Sequence, residues 1–134
     1  IPFELGLLGH SDADALAHAV IDALLGACAL GDIGQHFPDS DEAFRGISSL
    51  LLAKEAAARI RAAGFETVNI DSVITAQKPK LAPFREAMRA NLALGVPPEN
   101  IGVKFTTPEG TGPEGNLECI TVRAVAAVQK VRIQ

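Results

Sequence analysis

The sequence predicts an α+β fold, in which one domain spanning residues 1–134 carries a mixed β-sheet with helices packed on one face. The predicted elements follow the order α-α-β-α-β-β, and segments rich in Gly, Pro and Asp separate them. A length of 134 residues suits one domain with its own core. Hydrophobic residues make up 48% of the chain, which excludes an intrinsically disordered protein.

Three helices are predicted from cap residues and Gly or Pro stops. The first begins with Ser11 as N-cap and ends near Leu30, the second spans about residues 47–63, and the third runs from Pro83 to about Leu94. Glycine follows each predicted end, as is typical of a helix C-terminus. The apolar face of the second helix would consist of Leu50, Leu51, Ala57, Ala58 and Ile60.

Three strands are predicted, at residues 67–76, 102–107 and 118–131. The first is alternating and β-branched, and the last alternates between small or branched apolar residues and other side chains. The inward set of the last strand would be Ile120, Val122, Ala124, Ala126 and Val128. Loops are predicted at residues 32–45, 77–82 and 108–117.

Composition excludes several function classes. The net charge of −4 argues against a general nucleic-acid binder, which needs a basic face. No apolar run reaches the roughly 20 residues of a membrane span, and no signal peptide opens the chain. Cys28 and Cys119 are too few for a disulfide framework, so we expect reduced, buried thiols in a cytoplasmic protein.

The first predicted helix carries the clearest candidate for metal binding. Asp14, His18 and Asp22 recur every four residues and therefore share one helix face. Imidazole and carboxylate are common metal ligands, and a carboxylate could orient the imidazole of His18. The alternative is a polar stripe on a solvated face. His10, just before the predicted N-cap, could contact a phosphate at the helix N-terminus, or be an ordinary loop histidine.

Three loops carry polar groups that suit phosphate, hydroxyl or metal binding. Residues 32–34 and 37–41 combine Asp and Ser with open backbone amides, or are simply an acidic connector. Thr106-Thr107-Pro108-Glu109 places hydroxyls beside a carboxylate, which suits phosphate oxygens and a hard cation such as Mg²⁺. Its alternative is a strand end followed by a turn. Residues 76–81 contain two lysines, which contact either phosphate or solvent, and nothing supports a binding role for His36.

The order of these motifs resembles the 2-C-methyl-D-erythritol 2,4-cyclodiphosphate synthase family. The resemblance covers nearly the whole chain. It rests on the runs Gly6-Leu7-Leu8-Gly9-His10-Ser11-Asp12, Asp22-Ala23-Leu24-Leu25-Gly26, Leu30-Gly31-Asp32-Ile33-Gly34 and Phe37-Pro38-Asp39-Ser40-Asp41, on the pairs Ala76-Gln77, Pro79-Lys80 and Thr106-Thr107, and on His18, Lys104 and Glu109.

The resemblance implies an enzyme that cyclises 4-diphosphocytidyl-2-C-methyl-D-erythritol 2-phosphate. The 2-phosphate attacks the β-phosphorus and CMP leaves. The resemblance also implies Zn²⁺ at His18, Mg²⁺ or Mn²⁺ at Glu109, and stabilisation of the transition state by His10 and Thr107. It further implies a homotrimer with active sites between subunits, located in the cytoplasm or in a plastid stroma.

The substrate contacts that the resemblance implies fall into three groups. Residues 32–34 and 37–41 would hold the methylerythritol, residues 76–82 would hold the cytosine largely through main-chain groups, and the other residues of the set would complete the substrate site. The full set is His10, Ser11, Asp32, Ile33, Gly34, Phe37, Pro38, Asp39, Ser40, Asp41, Ala76, Gln77, Lys78, Pro79, Lys80, Leu81, Ala82, Thr106, Thr107, Pro108 and Glu109.

Two features depart from the family pattern. The family takes two further metal ligands from an Asp-x-His motif on an N-terminal strand, which this sequence does not contain, and a zinc site needs about three protein ligands. Absence of that strand would expose a sheet edge. The loop 110–117 lacks the family's Phe and Arg, so no role is assigned to it. The alternatives are a non-catalytic nucleotide-binding trimer and the C-terminal domain of a bifunctional fusion with the preceding cytidylyltransferase.

Overall fold

The sheet has three strands in the order β2-β1-β3, with β1 at Phe65–Thr75, β2 at Ile101–Thr106 and β3 at Thr121–Lys130. A computed structural model describes residues 7–38, 40–44, 47–78 and 80–131, with side chains from residue 15 onward. Strand β1 pairs parallel with β2 and antiparallel with β3, so the sheet is mixed as predicted. Because β1 and β2 are parallel, their carboxyl ends lie side by side at one edge.

The described residues form five helices in addition to the sheet. They are α1 (Leu7–Ala27), α2 (Ile33–His36), α3 (Ser49–Ala62), α4 (Arg85–Asn91) and α5 (Gly112–Gly115). Short 3-10 turns occupy Glu42–Phe44, Ala82–Phe84 and Pro98–Asn100. Among the described residues, no helix is both long enough and apolar enough to cross a membrane.

The core lies between one face of the sheet and the helices. Ile70, Ser72 and Ile74 alternate along β1 and are buried, as expected for a strand with one covered face. They join a cluster that includes Val20, Ile21, Leu24 and Leu25 of α1, all fully buried. Each buried aliphatic side chain of this kind contributes roughly 1.5–3 kcal/mol. The hydroxyl of Ser72 donates to the Gly102 carbonyl at 3.0 Å, which offsets the cost of its burial.

The opposite face of the sheet is open in the described part of the chain. Asp71, Val73 and Thr75 point to that side and are only half-buried, and Val125 of β3 is 63% exposed. Lys104 of β2 forms an ion pair with Asp71 at 2.7 Å across this face. The α+β fold is confirmed, with one sheet face covered by helices and the other free.

The prediction that Ser11 caps the first helix is wrong. Helix α1 begins at Leu7, because Leu and Ala are strong helix formers and no Pro interrupts residues 7–27. It ends earlier than predicted, at Ala27. The N–H of Leu30 donates to the Leu25 carbonyl at 2.9 Å, and Ala29 adopts a left-handed φ of 55°. This is a Schellman stop, with Ala29 in the position that Gly usually takes.

Two burial predictions are also wrong. Leu50 and Leu51 are 40% and 53% exposed, because α3 buries Ala53, Ala56 and Ile60, a face with different helical phase. Cys119 is exposed, since it lies in the turn before β3 rather than in the strand. Cys28 is buried as predicted, and burial raises the pKa of its thiol.

The remaining element bounds agree with prediction to within a few residues, apart from the loops. Predicted loops 32–45 and 108–117 contain the short helices α2 and α5. The predicted third helix divides into a 3-10 turn and α4, which ends at Asn91. Strand β3 spans Thr121–Lys130, and its predicted inward residues do pack on the core.

Candidate functional site

A cleft of about 570 Å³ opens where β1 and β2 end. We call it the strand-end cleft. Its lining is Ile74, Ala76, Gln77, Lys80, Leu81, Ala82, Pro83, Phe105, Thr106, Thr107 and Glu109. The ladder continues past β1, since the Ala76 N–H donates to the Thr106 carbonyl at 3.1 Å. Parallel pairing therefore brings together two segments that lie thirty residues apart in sequence.

Two side chains connect the segments that form this cleft. The Gln77 Oε1 accepts the Gly110 N–H at 2.8 Å, and the Thr107 hydroxyl donates to Glu109 Oε1 at 3.2 Å. Between these contacts Glu109 adopts a left-handed φ of 54°, followed by Gly110 at 73°. A left-handed non-glycine residue costs roughly 1–3 kcal/mol, so the Gln77 contact helps to hold a strained turn. The turn presents the Glu109 carboxylate at the cleft.

The loop after Glu109 folds back on itself. A Cβ on Gly115 would collide with the main chain of Gly110, so only glycine fits there. The Thr121 hydroxyl donates to Glu114 Oε1 at 2.8 Å and ties the loop to β3. The backbone N–H of Glu114 itself, this hydroxyl and the nearby Arg123 lower the pKa of the Glu114 carboxyl.

A second cavity, of about 410 Å³, lies between the helices. We call it the His18 pocket, and its lining is His18, Ile33, Gly34, Phe37, Pro38 and Leu52. His18 is exposed, and its Nε2 lies 3.5 Å from the Ser49 hydroxyl at the start of α3. That distance is at the limit of a hydrogen bond, so the contact is weak. The imidazole remains available to the pocket.

Carboxylates fix the α2 wall of this pocket. Asp22 Oδ1 accepts the Ile33 N–H at 2.8 Å, and Asp32 caps α2 by accepting the Gln35 N–H at 2.9 Å. The Gln35 side chain returns to the Asp32 N–H, which completes a capping box. Asp22 therefore positions α2: its carboxylate accepts from the Ile33 backbone of that helix.

Arg59 of α3 contacts the segment that contains His36 and Phe37, next to the pocket, and the sequence did not predict this role. Its Nη1 donates to the His36 carbonyl at 3.2 Å and to the His36 Nδ1 at 3.0 Å. The guanidinium also lies 4.6 Å from the centre of the buried Phe37 ring and 5.8 Å from that of Phe44. Such cation–π contacts are worth roughly 0.5–2 kcal/mol. An isolated Arg on an amphipathic helix carries no sequence signal for this role.

The sequence predicted no binding role for His36. In the structure its ring connects α3, through Arg59, with the segment that follows α1, through Leu30. Because guanidinium only donates, the Nδ1 that faces Arg59 must be the acceptor. The other nitrogen, Nε2, then carries the proton and donates to the Leu30 carbonyl at 2.8 Å. The partners thus assign the neutral Nε2–H tautomer. Both ring nitrogens are satisfied within the fold.

The comparison with known families decides the identification. The sequence model of the YgbB family matches residues 1–129. The chain belongs to the YgbB family. The resemblance found in the sequence is confirmed, since similar proteins carry the name 2-C-methyl-D-erythritol 2,4-cyclodiphosphate synthase. That of Laribacter hongkongensis is 55% identical over 131 residues, which is 96% of this chain and 81% of the relative.

Solved structures of YgbB-type proteins show the same fold. The bifunctional IspDF from Campylobacter jejuni matches with a TM-score of 0.83 at 43% identity, over 90% of this chain and 33% of that one. A CDP complex of IspF from Plasmodium falciparum matches with a TM-score of 0.78 at 28% identity, over 92% of this chain and 75% of that one. The fold therefore occurs both as a separate synthase and within a two-enzyme chain.

The structure divides the YgbB motif residues between the two cavities. Ala76, Gln77, Lys80, Leu81, Ala82, Thr106, Thr107 and Glu109 line the strand-end cleft, and His18, Ile33, Gly34, Phe37 and Pro38 line the His18 pocket. Lys78, Pro108, Asp32, Ser40 and Asp41 lie beside these cavities in sequence without lining them. Asp41 instead accepts the Ala43 N–H at 3.0 Å.

Some of the predicted site residues fall in the part of the chain that the structure does not describe. Asp39 and Pro79 lie outside the described residues, as do the side chains of Asp14, His10 and Ser11. The backbone of the last two lies within α1, so Ser11 is not at a helix N-terminus. Among the residues whose side chains are described, no three His, Cys, Asp or Glu groups come together as a metal site.

Proposed function

We propose that this chain cyclises 4-diphosphocytidyl-2-C-methyl-D-erythritol 2-phosphate to 2-C-methyl-D-erythritol 2,4-cyclodiphosphate and releases CMP. The observation that carries the proposal is the strand-end cleft, in which the motif segments 76–82 and 106–109 converge. Family membership and the names of the relatives support the same reaction. Residues 1–134 would act as one synthase domain.

We assign the cytidine to the strand-end cleft. Its volume of about 570 Å³ lies within the usual range of small-molecule sites. Ile74, Leu81 and Phe105 give it apolar walls against which a base can pack, and the loop 76–82 offers main-chain groups to the base edge. The related Plasmodium falciparum protein forms a complex with CDP. The exposed Lys80 would contact the phosphates.

We assign the methylerythritol 2-phosphate to the His18 pocket. Ile33, Phe37 and Leu52 would pack against its carbon chain, and Gly34 leaves the backbone accessible to its hydroxyls. Asp32, Asp39 and Asp41 carry the acceptors expected for diol binding. His10 would act with Thr107 on the transition state.

The two cavities differ in how well their side chains fit a metal site. Glu109 fits a Mg²⁺ or Mn²⁺ site, because one carboxylate together with substrate phosphates is a common ligand set for Mg²⁺. Such a cation would neutralise charge on the diphosphate. His18 can supply one ligand to Zn²⁺, but the described side chains do not complete the set of about three that zinc needs. We therefore derive no catalytic step through zinc.

The reaction needs no protein nucleophile. An oxygen of the 2-phosphate forms a bond to the β-phosphorus, while the bond from that phosphorus to the oxygen bridging to the α-phosphate breaks. CMP leaves with that electron pair. The chain's task is to hold the 2-phosphate close to the β-phosphorus and to donate hydrogen bonds to its oxygens. The Thr107 hydroxyl, at the mouth of the cleft beside Glu109, is suited to the second role.

A homotrimer would unite the two cavities. They share no lining residue, so each can serve as half of a site between neighbouring subunits. The open sheet face offers a surface for contact between subunits. The outer edge of β3, which pairs with no other described strand, could pair with the additional strand that the resemblance implies. We also propose a cytoplasmic location, or a plastid stroma for a plant-like source, in keeping with two free thiols.

The test is an assay on the complete encoded polypeptide. With substrate and Mg²⁺ we expect CMP by chromatography and the cyclic diphosphate by phosphorus NMR. By calorimetry CMP or CDP should bind more tightly than UMP or AMP, and light scattering should give a trimer mass. Nucleotide binding without CMP release would favour the non-catalytic alternative. An attached cytidylyltransferase domain in the encoded chain would identify a bifunctional fusion, of the kind seen in Campylobacter jejuni.

A further inference from the structure

We infer that Arg59 is a positioning residue for the reaction, acting through the wall of the His18 pocket. The inference rests on the proposed function of that pocket. Arg59 does not line the pocket, so a direct contact with substrate is not part of the role. Its guanidinium instead reaches from α3 to the segment that carries Phe37 and Pro38.

The contacts of Arg59 restrain this segment from several directions. One guanidinium nitrogen donates to the carbonyl and to the ring of His36, the residue before Phe37. The guanidinium lies over the Phe37 ring, and Phe44 meets that ring edge-on with 5.1 Å between ring centres. Glu55 accepts from Arg59 Nε at 3.3 Å and holds the guanidinium in orientation.

Arg59 is the only described side chain that hydrogen-bonds the His36 backbone and stacks on Phe37. Phe37 leads into Pro38, which lines the pocket beside it. His18 is on the other side, on α1. Loss of the guanidinium would therefore change the distance between the wall and His18, while α1 keeps its place in the core. Misplacement of a bound reactant by about 1 Å can lower a rate by roughly a hundredfold.

The strand-end cleft provides an internal control, because it shares no lining residue with the His18 pocket. Loss of Arg59 should thus leave nucleotide affinity unchanged and disturb only the other half of the substrate. Since orientation of the 2-phosphate sets the rate, the fall in kcat should exceed the rise in KM. General loss of folding would instead lower the melting temperature and the amount of CDP bound.

The experiment compares Arg59→Met, Arg59→Lys and Arg61→Met in the complete polypeptide. Arg61 lies on the same helix and lines a different small cavity with Leu94 and Gly95, so Arg61→Met is the matched control. We expect Arg59→Met to lower kcat roughly 10- to 100-fold, with a smaller rise in KM and CDP affinity within about twofold of wild type. Arg59→Lys should recover part of the loss, because an ammonium can still donate to the His36 carbonyl. Arg61→Met should match wild type.

The outcomes separate the inference from the function on which it rests. An active wild type with unchanged kcat in Arg59→Met overturns the positioning role alone. Equal losses of CDP binding and of turnover in Arg59→Met also overturn it, since they indicate a general structural role. A wild type that binds CDP and releases no CMP overturns the proposed function, and the positioning role is then rejected with it.

Discussion

The strand-end cleft and the His18 pocket are built in different ways. Two hydrogen-bonded parallel strands set the spacing of the cleft walls, so its shape follows from backbone register. The pocket walls depend on side chains instead: Asp22 holds α2, and Arg59 holds the Phe37 segment. Backbone pairing tolerates most side-chain changes, whereas a wall held by a few side chains moves when one of them is lost. The comparison predicts that substitutions will separate nucleotide binding in the strand-end cleft from zinc binding and substrate orientation in the His18 pocket.

Thr107→Ala should give the largest effect. Loss of a positioned donor at the β-phosphate should lower kcat by roughly one to three orders of magnitude. Substrate affinity should change far less, because the hydroxyl acts mainly in the transition state. Steady-state kinetics with CDP calorimetry measures both quantities.

Two cysteine variants are the controls for Thr107. Cys119→Ser alters an exposed thiol and should turn over like wild type, and Cys28→Ser should differ only through stability. A folded but inactive cysteine variant would indicate a covalent intermediate and contradict the mechanism. Normal turnover by Thr107→Ala would remove this residue from the site.

His18→Ala should separate the two cavities most sharply. In the complete polypeptide we expect this variant to lose bound zinc, because a zinc site cannot lose one of its few protein ligands. CDP affinity should stay unchanged, since His18 does not line the strand-end cleft. Metal analysis by mass spectrometry checks the first point and calorimetry the second. His36→Gln is the matched histidine control and should retain zinc; undiminished zinc in His18→Ala would reject His18 as a ligand.

Gln77→Leu should weaken the strand-end cleft alone. The exposed Gly110 N–H would lose its protein acceptor, at a cost of about 0.5–1.5 kcal/mol, and the left-handed turn at Glu109 would lose support. We expect CDP in the presence of Mg²⁺ to bind roughly tenfold more weakly. Gln77→Glu keeps an acceptor of the same length and should recover the turn. If Gln77→Leu binds CDP in the presence of Mg²⁺ as tightly as wild type does, the turn at Glu109 does not depend on the Gln77 contact.

The smallest expected effect is on the pH dependence of folding stability, through the carboxyl of Glu114. The pKa of the Glu114 carboxyl is lowered in the folded state, so its contribution to stability is fully present above the pKa of the unfolded chain. That contribution disappears as the pH falls through the lower folded value. Urea unfolding of wild type and Glu114→Gln at a series of pH values should therefore give curves that converge in acid. If the free energies of unfolding of the two proteins differ by the same amount at every pH, the Glu114 carboxyl is not the group whose protonation lowers stability in acid.

Much of the fold follows from local sequence signals. The alternation in residues 67–76 and 120–128 marks strands, and Gly or Pro marks most boundaries within a few residues. The start of α1 was predicted too late, because Ser11 is a good cap residue placed inside a run of strong helix formers. Short helices such as α2 depend on tertiary contacts, here the Asp22 carboxylate, which sequence spacing does not show.

The sequence predicts only those residues of the candidate site that lie in recognisable motifs. The segments 76–82 and 106–109 were expected to bind substrate, and parallel pairing of β1 and β2 explains why they meet. Arg59 carries no motif signal, because its role depends on a ring and a carbonyl more than twenty residues away. Cys119 and Leu51 were misjudged because burial depends on which helix phase and which turn reach the core.

Each cavity is encoded by one uninterrupted stretch of the chain. The His18 pocket uses residues between positions 18 and 52, and the strand-end cleft uses residues between 74 and 109. The turn at Gly64 lies between these stretches. Recombination between homologous genes at that turn would exchange all lining residues of one cavity and leave the lining residues of the other unchanged. The two halves of the proposed substrate site can therefore be inherited, and engineered, as separate gene segments.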